Sequence, residues 1–315
     1  MMGSHSLPQR VLGRTGERVP ILGLGTAPGG MGLDDADAVA LFESAIDQGV
    51  TYLDTAPAYE RAQKQLAQIL PRRRDEVFLV TKTFTADRAE AISKLEEALR
   101  DLRTDAVDLA YVHSLGSLDA DQVLGENGAL AGLREAQRRG LTRYIGVTGH
   151  HLPGRLLRCV EEGGIDVIMV ALNFADSITY GFEHSVLPTA VANNVGVAAM
   201  KVYGGAEEMI YATTEQEERR RSAIEAVIPD FDYELALRWA LSLPGVGTAV
   251  VGMYTEKELQ QNIEWARRFR PLDEAEQLKL QDQAQRLATH WGEHYGPARE
   301  LPRWRRLWQR LRPGT

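Results

Sequence analysis

The chain holds one cysteine, Cys159, among 315 residues. That excludes an internal disulfide and a cysteine-held metal cluster, and an inert buried position on a helix is the expected place for such a thiol. No metal site is expected. Long apolar runs are also missing. The longest, such as Val195 to Met200, is strand-sized, well short of the roughly 18 residues a membrane span needs. No apolar stretch follows the polar opening Met1-Met2-Gly3-Ser4-His5-Ser6, so residues 1–6 read as a cloning remnant or disordered start and not as a signal peptide. Positive charge is under-represented, with a formal net charge of −8, which argues against nucleic acid as the main partner. These absences point to a cytoplasmic protein whose partner is a small molecule. They say nothing about oligomeric state.

Lysine is especially scarce, at six positions, and two of the six, Lys82 and Lys201, end apolar stretches. A solvating role does not explain that placement. Apolar segments of strand length alternate along the chain with segments of helical spacing. The strand ends fall at Thr26, Asp54, Lys82, His113, Thr148, Asn173 and Lys201, about 25–35 positions apart, the length of a strand–helix unit. Gly13-Arg14-Thr15-Gly16 marks a hairpin before the first of them. Helices are predicted over 87–102, 120–139 and 183–193, and Gly29-Gly30-Met31-Gly32 reads as a glycine-rich loop. Eight such units favour a (β/α)8 barrel. A doubly wound sheet is the alternative, although Gly23-Leu24-Gly25-Thr26-Ala27-Pro28 lacks the third glycine of its dinucleotide fingerprint. Residues 203–229 form a polar insert, including the charged run 215–221. The tail, 272–315, is helical in pattern, rich in Trp and Arg, and is expected to pack against the barrel and reach its mouth.

In a barrel the strand C-termini share one end. Asp54, Lys82, His113, Thr148, Asn173, Lys201 and Gly252 would then meet there. An ammonium closing the apolar run Val77-Phe78-Leu79-Val80-Thr81 is costly unless paired, and Asp54 is the expected partner. Tyr59, five positions beyond Asp54, would feel that cation and have its phenol pKa lowered, so that it could pass a proton to or from a carbonyl oxygen. His113 could orient the same oxygen. The plainer alternative is a structural Asp–Lys pair beside an ordinary loop tyrosine and a core histidine.

Over roughly residues 7–270 the sequence resembles the aldo-keto reductase family. The matching pieces are Leu22-Gly23-Leu24-Gly25-Thr26, Asp54-Thr55-Ala56 with Tyr59, Val80-Thr81-Lys82, His113, Gly146-Val147-Thr148, Met200-Lys201 and Asn262. The resemblance implies a single barrel domain over 7–315, NAD(P)H bound without a Rossmann domain, and a catalytic set of Asp54, Tyr59, Lys82 and His113. It also implies a carbonyl–alcohol interconversion in which the cofactor carries the hydride and Tyr59 the proton. The cofactor-binding positions it implies are Gly25, Thr26, Thr148, Gly149, Asn173, Lys201, Tyr203, Gly204, Gly252, Tyr254, Glu258, Gln261 and Asn262. A nicotinamide-binding sensor and a sugar-modifying enzyme that recycles its cofactor internally are alternatives within the same resemblance.

Departures from the family pattern bear on specificity. Where the family has Ser-Asn after the fifth strand, this chain has Thr148-Gly149-His150-His151. This is similar to a branch in which an iron–sulfur domain sometimes follows the barrel, and one cysteine leaves no ligand set for it. Thr148 can replace the serine hydroxyl, whereas Gly149 cannot replace an amide; Asn173, His150 or His151 is expected to do so, or to face substrate. Phe84, His150 and Phe174 are the candidate substrate contacts, with Tyr52, Tyr111 and Tyr203 as further candidate aromatic walls, and the histidines suit a polar substrate such as a sugar. At the adenosine end stand Gly252 and Glu258, and a glutamate repels a 2′-phosphate, which favours NAD(H) over NADP(H).

Overall fold

The computed structural model describes residues 6–206, 211 and 222–300. An antiparallel hairpin, β1 (Gln9–Val11) and β2 (Arg18–Pro20), comes first. Eight parallel strands follow: β3 (Leu22–Gly25), β4 (Tyr52–Asp54), β5 (Phe78–Thr83), β6 (Val107–Val112), β7 (Thr142–Gly149), β8 (Val167–Ala171), β9 (Gly196–Met200) and β10 (Val246–Gly252). They close in sequence order, with β10 pairing both β9 and β3. Closure decides between the two expected architectures: the molecule is a (β/α)8 barrel with an N-terminal hairpin and a C-terminal helix. Side chains alternate along each strand. Leu22, Leu24, Leu53, Leu79, Ala110 and Val112 face the surrounding helices, while Tyr52, Val80, Leu109, Tyr111, Val167 and Met169 fill the cylinder. Strands covered on both faces are mostly apolar for that reason, and Asp54 on β4, Lys82 on β5 and Asp108 on β6 are the buried charged exceptions.

The hairpin plugs the N-terminal end. Leu12 and Val19 join the interior cluster, and Leu12 lies over Gly196 and Gly247, whose absent Cβ atoms would meet it at 2.9 and 3.0 Å. Arg10 donates to the carbonyls of Leu241 and Val246 at 2.7 and 2.8 Å. The opposite end, where the strands finish, is therefore the open mouth.

Three expectations need correcting. The glycine-rich stretch after β3 is a short helix, Ala27–Gly32, with Pro28 in its first turn, where a missing N–H costs nothing. Its glycines serve contact, not turning: a Cβ on Gly29 would strike Phe42 at 2.4 Å, and one on Gly30 would strike the Tyr59 carbonyl at 2.0 Å. The predicted helix 120–139 is two, Ala120–Leu124 and Ala129–Arg138, parted at Gly125 and Gly128. The predicted 183–193 is likewise Phe182–Ser185 and Leu187–Ala192, the second opening with Pro188 in its first turn.

The tail helix, Glu274–Trp291, starts in a capping box between Asp273 and Glu276. Leu280, Ala284 and Leu287 from it build a second core with Phe174, Ile224, Phe231 and Leu235. The charged run 215–221 and the tryptophans at 304 and 308 lie outside the described residues.

Candidate active site

At the mouth, Asp54 ends β4 with its carbonyl pinned by Thr26, which donates to it through both its amide (2.9 Å) and its hydroxyl (3.0 Å). The next residue, Thr55, donates its amide to the Val80 carbonyl at 2.9 Å. The chain then makes a 3-10 turn, Pro57–Tyr59, in which the Tyr59 amide reaches the Ala56 carbonyl at 3.0 Å. Glu60 leaves that turn with φ +48°, a sparsely occupied conformation for a residue bearing a Cβ. Gly30 supports the turn from beneath. Tyr59 is thus fixed by backbone on one side and by a bare glycine on the other.

Lys82, on β5, is sealed at 1% exposure. Its Nζ donates to Asp54 Oδ2 at 2.6 Å, to the Thr55 carbonyl at 3.0 Å and to the Tyr59 hydroxyl at 3.2 Å. All three ammonium protons have acceptors, which is the condition for burying a lysine. The ammonium also lies 4.7 Å from the Tyr59 ring centre. His113, just past β6, is anchored by its amide to the Thr83 carbonyl at 2.8 Å, and its ring meets that of Tyr59 edge-on at 6.3 Å. Phe84, half exposed, meets His113 edge-on from the other side at 6.4 Å. The four expected residues share one basin.

Electrostatics differ from the expectation in one respect. Burial and the negative charge of Asp54 hold the Tyr59 phenol well above its ordinary pKa of 10.0, outweighing the neighbouring ammonium. Tyr59 therefore keeps its proton at neutral pH and is set as a donor. Burial also pushes Asp54 up and Lys82 down, each opposed by the other's charge. Burial, with the charges of Lys82 and Lys201, lowers His113 to about 3. A neutral imidazole there can still donate one N–H to an oxygen.

Among the positions expected to hold a dinucleotide, several are already engaged. Thr148 Oγ1 accepts from the Ser114 amide at 2.9 Å. Gly149 is required by packing, since a Cβ would lie 2.5 Å from Leu156 Cδ1. Asn173 spends its NH2 on Asp176 Oδ2 (2.6 Å) and the Lys201 carbonyl (3.1 Å), and its Oδ1 accepts from the Asp176 amide at 2.9 Å. Its amide holds Lys201 in place, at φ +57°. Gly204 and Gly205 follow with φ of +79° and +84°, and a Cβ on Gly205 would press within 3.0 Å of Lys201 Nζ. A left-handed lysine three residues ahead of two left-handed glycines sets a cation beside backbone that carries no side chain, a cradle that suits a phosphate, and the turn is closed by the Gly204 amide, which donates to the Lys201 carbonyl at 2.7 Å. Tyr203 donates to Asn262 Oδ1 at 2.5 Å, and Asn262 donates to the Glu258 carbonyl at 2.8 Å. Glu258 and Gln261 lie on the helix Glu256–Arg267, where Glu258 Oε2 accepts from the Tyr254 amide at 2.7 Å. Gly25 and Gly252 are paired neighbours at the ends of β3 and β10.

On the substrate side, His150 remains at the mouth, 5.5 Å from the Tyr295 ring, and burial with the charge of Lys201 keeps it neutral. His151 is instead wedged against Gly116 and Gly296. Phe174 is not a wall of the mouth: it is 1% exposed and packs on Phe231 in the second core. Tyr52 and Tyr111 are enclosed in the cylinder below. Sequence reasoning did not single out His294 and Tyr295, whose only signal was the aromatic tail. Tyr295 donates its hydroxyl to the Gly204 carbonyl at 2.8 Å, and its amide donates to the Tyr180 hydroxyl at 2.8 Å. His294 Nε2 lies 2.8 Å from Asp176 Oδ1. Among the described residues no group of three or more His, Cys, Asp or Glu could hold a metal ion.

Comparisons with known proteins bear on the family and the fold. The chain is 26% identical to an L-galactose dehydrogenase of Arabidopsis thaliana, over 81% of this chain and 86% of that one. It is 27% identical to a D-threo-aldose 1-dehydrogenase of a Pseudomonas species, over 80% and 90%. Its fold matches an aldo/keto reductase from Klebsiella pneumoniae solved with NADP and acetate, with a TM-score of 0.65 at 22% identity, covering 93% and 97%. The model of the Aldo/keto reductase family matches residues 21–226, and the chain belongs to that family of oxidoreductases.

Proposed function

We propose that this protein interconverts a carbonyl and an alcohol with a nicotinamide dinucleotide, and that its substrate is a sugar or a similarly polar molecule. One observation carries the reading: a buried ammonium donates to a phenol at the open end of the barrel while a buried carboxylate holds it. Asp54 fixes Lys82, Lys82 fixes the hydroxyl of Tyr59, and Tyr59 gives its proton to a carbonyl oxygen. A neutral His113 donates to the same oxygen and sets its approach. Bound in the mouth, the dinucleotide supplies or takes up the hydride. Lys201, Gly204 and Gly205 would hold its phosphates, and Thr148 with the β7 end its nicotinamide.

The polar substrate is supported by the histidine and aromatic lining, His150, Tyr295 and Phe84, and by the sugar dehydrogenases among the relatives. Glu258 sets a negative charge at the adenosine end, which favours NAD(H); the Klebsiella neighbour was solved with NADP, so both cofactors belong in the assay. The test follows reduced-nicotinamide absorbance with each cofactor across aldehydes, ketones and free sugars. Turnover is expected to be strongest with sugars. Glu258→Arg is expected to shift the ratio of efficiencies towards NADP(H), and an unchanged ratio would remove Glu258 from cofactor choice. Dinucleotide binding with no turnover on any substrate would favour a sensor over an enzyme.

A further inference from the structure

Beneath the site, the barrel holds two phenols that this chemistry does not use. Tyr52 and Tyr111 point inward from β4 and β6, both fully enclosed, with their hydroxyls 3.4 Å apart. Each is given room by a glycine on another strand. A Cβ on Gly23 would come 2.9 Å from Tyr52 Cδ1, and one on Gly146 would come 2.8 Å from Tyr111 Cδ1. Interior glycines are weak strand formers and mark sites of close approach. Tyr52 shares the strand face of Asp54, two residues before it, and Tyr111 is in register with Lys82. The phenol pair therefore lies under the Asp54–Lys82 bridge.

Counting protons exposes a mismatch. Two phenols carry two O–H protons, and their mutual contact uses one. A second buried donor needs an acceptor. Asp54 Oδ2 takes the ammonium, but Oδ1, equally enclosed, has no hydrogen-bond partner among the described residues. Thr248 Oγ1, on β10 next to the space of Gly23, is in the same condition. The titratable groups around Asp54 are Tyr52 on its own strand, Lys82 on β5, Tyr111 and His113 from β6, Lys201 after β9, and Tyr59. Lys82 is spent on three other acceptors, so the spare donors are hydroxyls: the two phenols, Thr248 Oγ1 and Thr55 Oγ1, the last also without a partner among the described residues.

We propose that Tyr52 and Tyr111 act as positioning residues for the proton relay, donating to Asp54 Oδ1 through one enclosed water whose shell Thr248 completes, and so keeping that carboxylate ionised. This rests on the oxidoreductase reading above. Burial works against the ionised carboxylate, and donors to its second oxygen oppose that cost. An enclosed water with several polar partners is an ordinary component of a barrel interior.

The test is the pH dependence of kcat/KM for reduction in the wild type, Tyr111→Phe, Tyr52→Phe and the double variant. Loss of a donor raises the pH at which Asp54 takes a proton. The acid limb of each single variant is expected to move up by about one pH unit, a tenfold loss below the limb, with the plateau retained. The double variant is expected to move no further than the larger single, because the phenols share one path. Profiles that superimpose on the wild type, or that drop uniformly without moving, would overturn the proposal. A high-resolution crystal structure gives a readout independent of turnover. An ordered water within hydrogen-bond reach of Asp54 Oδ1 and a phenol is expected; Oδ1 walled by carbon alone would refute it. A wild type that reduces no carbonyl yet holds that water would sink the activity and leave the water site standing.

Discussion

His113 can be followed by its charge. Its folded pKa of about 3 lies below the 6.5 of an exposed imidazole. Below pH 6.5 the unfolded chain binds a proton that the folded chain refuses until about pH 3, so stability is lost as the pH is lowered through that window. Denaturant midpoints measured from pH 7 to 5 should drop more steeply in the wild type than in His113→Asn; equal slopes would mean that His113 titrates normally. At this scale much was legible. Asp54, Tyr59, Lys82 and His113 stood out because polar residues closing apolar strands at the spacing of strand–helix units must gather at one end of a barrel. What was not legible depended on burial. An ammonium beside a phenol argues for a lowered pKa, but the phenol is half-buried beside the charge of Asp54 and rises. Asn173 looked free to grip a ligand, yet Asp176 and the Lys201 carbonyl already take its amide.

Among the elements, the short helix Ala27–Gly32 and the turn Pro57–Tyr59 form one unit through Gly30. A methyl group at Gly30 would sit 2.0 Å from the Tyr59 carbonyl, so the turn must move to admit it. A displacement near 1 Å at a reacting group costs up to about 10²-fold in rate. Gly30→Ala is expected to lower kcat by about that factor while the barrel still folds cooperatively by circular dichroism. An unchanged kcat would show that the turn tolerates the shift. Periodicity could place strands and long helices, because burial imposes a repeat on them. It could not tell a loop from a glycine-rich helix, since the reason for those glycines, Phe42 and Tyr59, comes from elsewhere in the chain.

The whole molecule joins a plugged end, a closed cylinder and a strap. The strap runs from Trp291 to Glu300 across the mouth, held by His294 on Asp176, by Tyr295 on Gly204 and Tyr180, and by Arg155 on Glu300. Asp176 also holds Asn173, and through it the backbone of Lys201. Asp176→Asn is expected to raise KM several-fold with a smaller effect on kcat, and to speed limited proteolysis after the tail helix; unchanged KM and cleavage would make the contact incidental. The tail's aromatic content hinted at this packing, but its partners Asp176, Tyr180, Gly204 and Arg155 are scattered along the chain and carry no pattern that marks them. The most direct test of the account sets Tyr59→Phe beside the wild type, measuring dinucleotide affinity by fluorescence and turnover by absorbance on the same preparations. Affinity is predicted to hold while kcat falls about 10²–10⁴-fold, the range for losing a general acid. Turnover at the wild-type rate would contradict it.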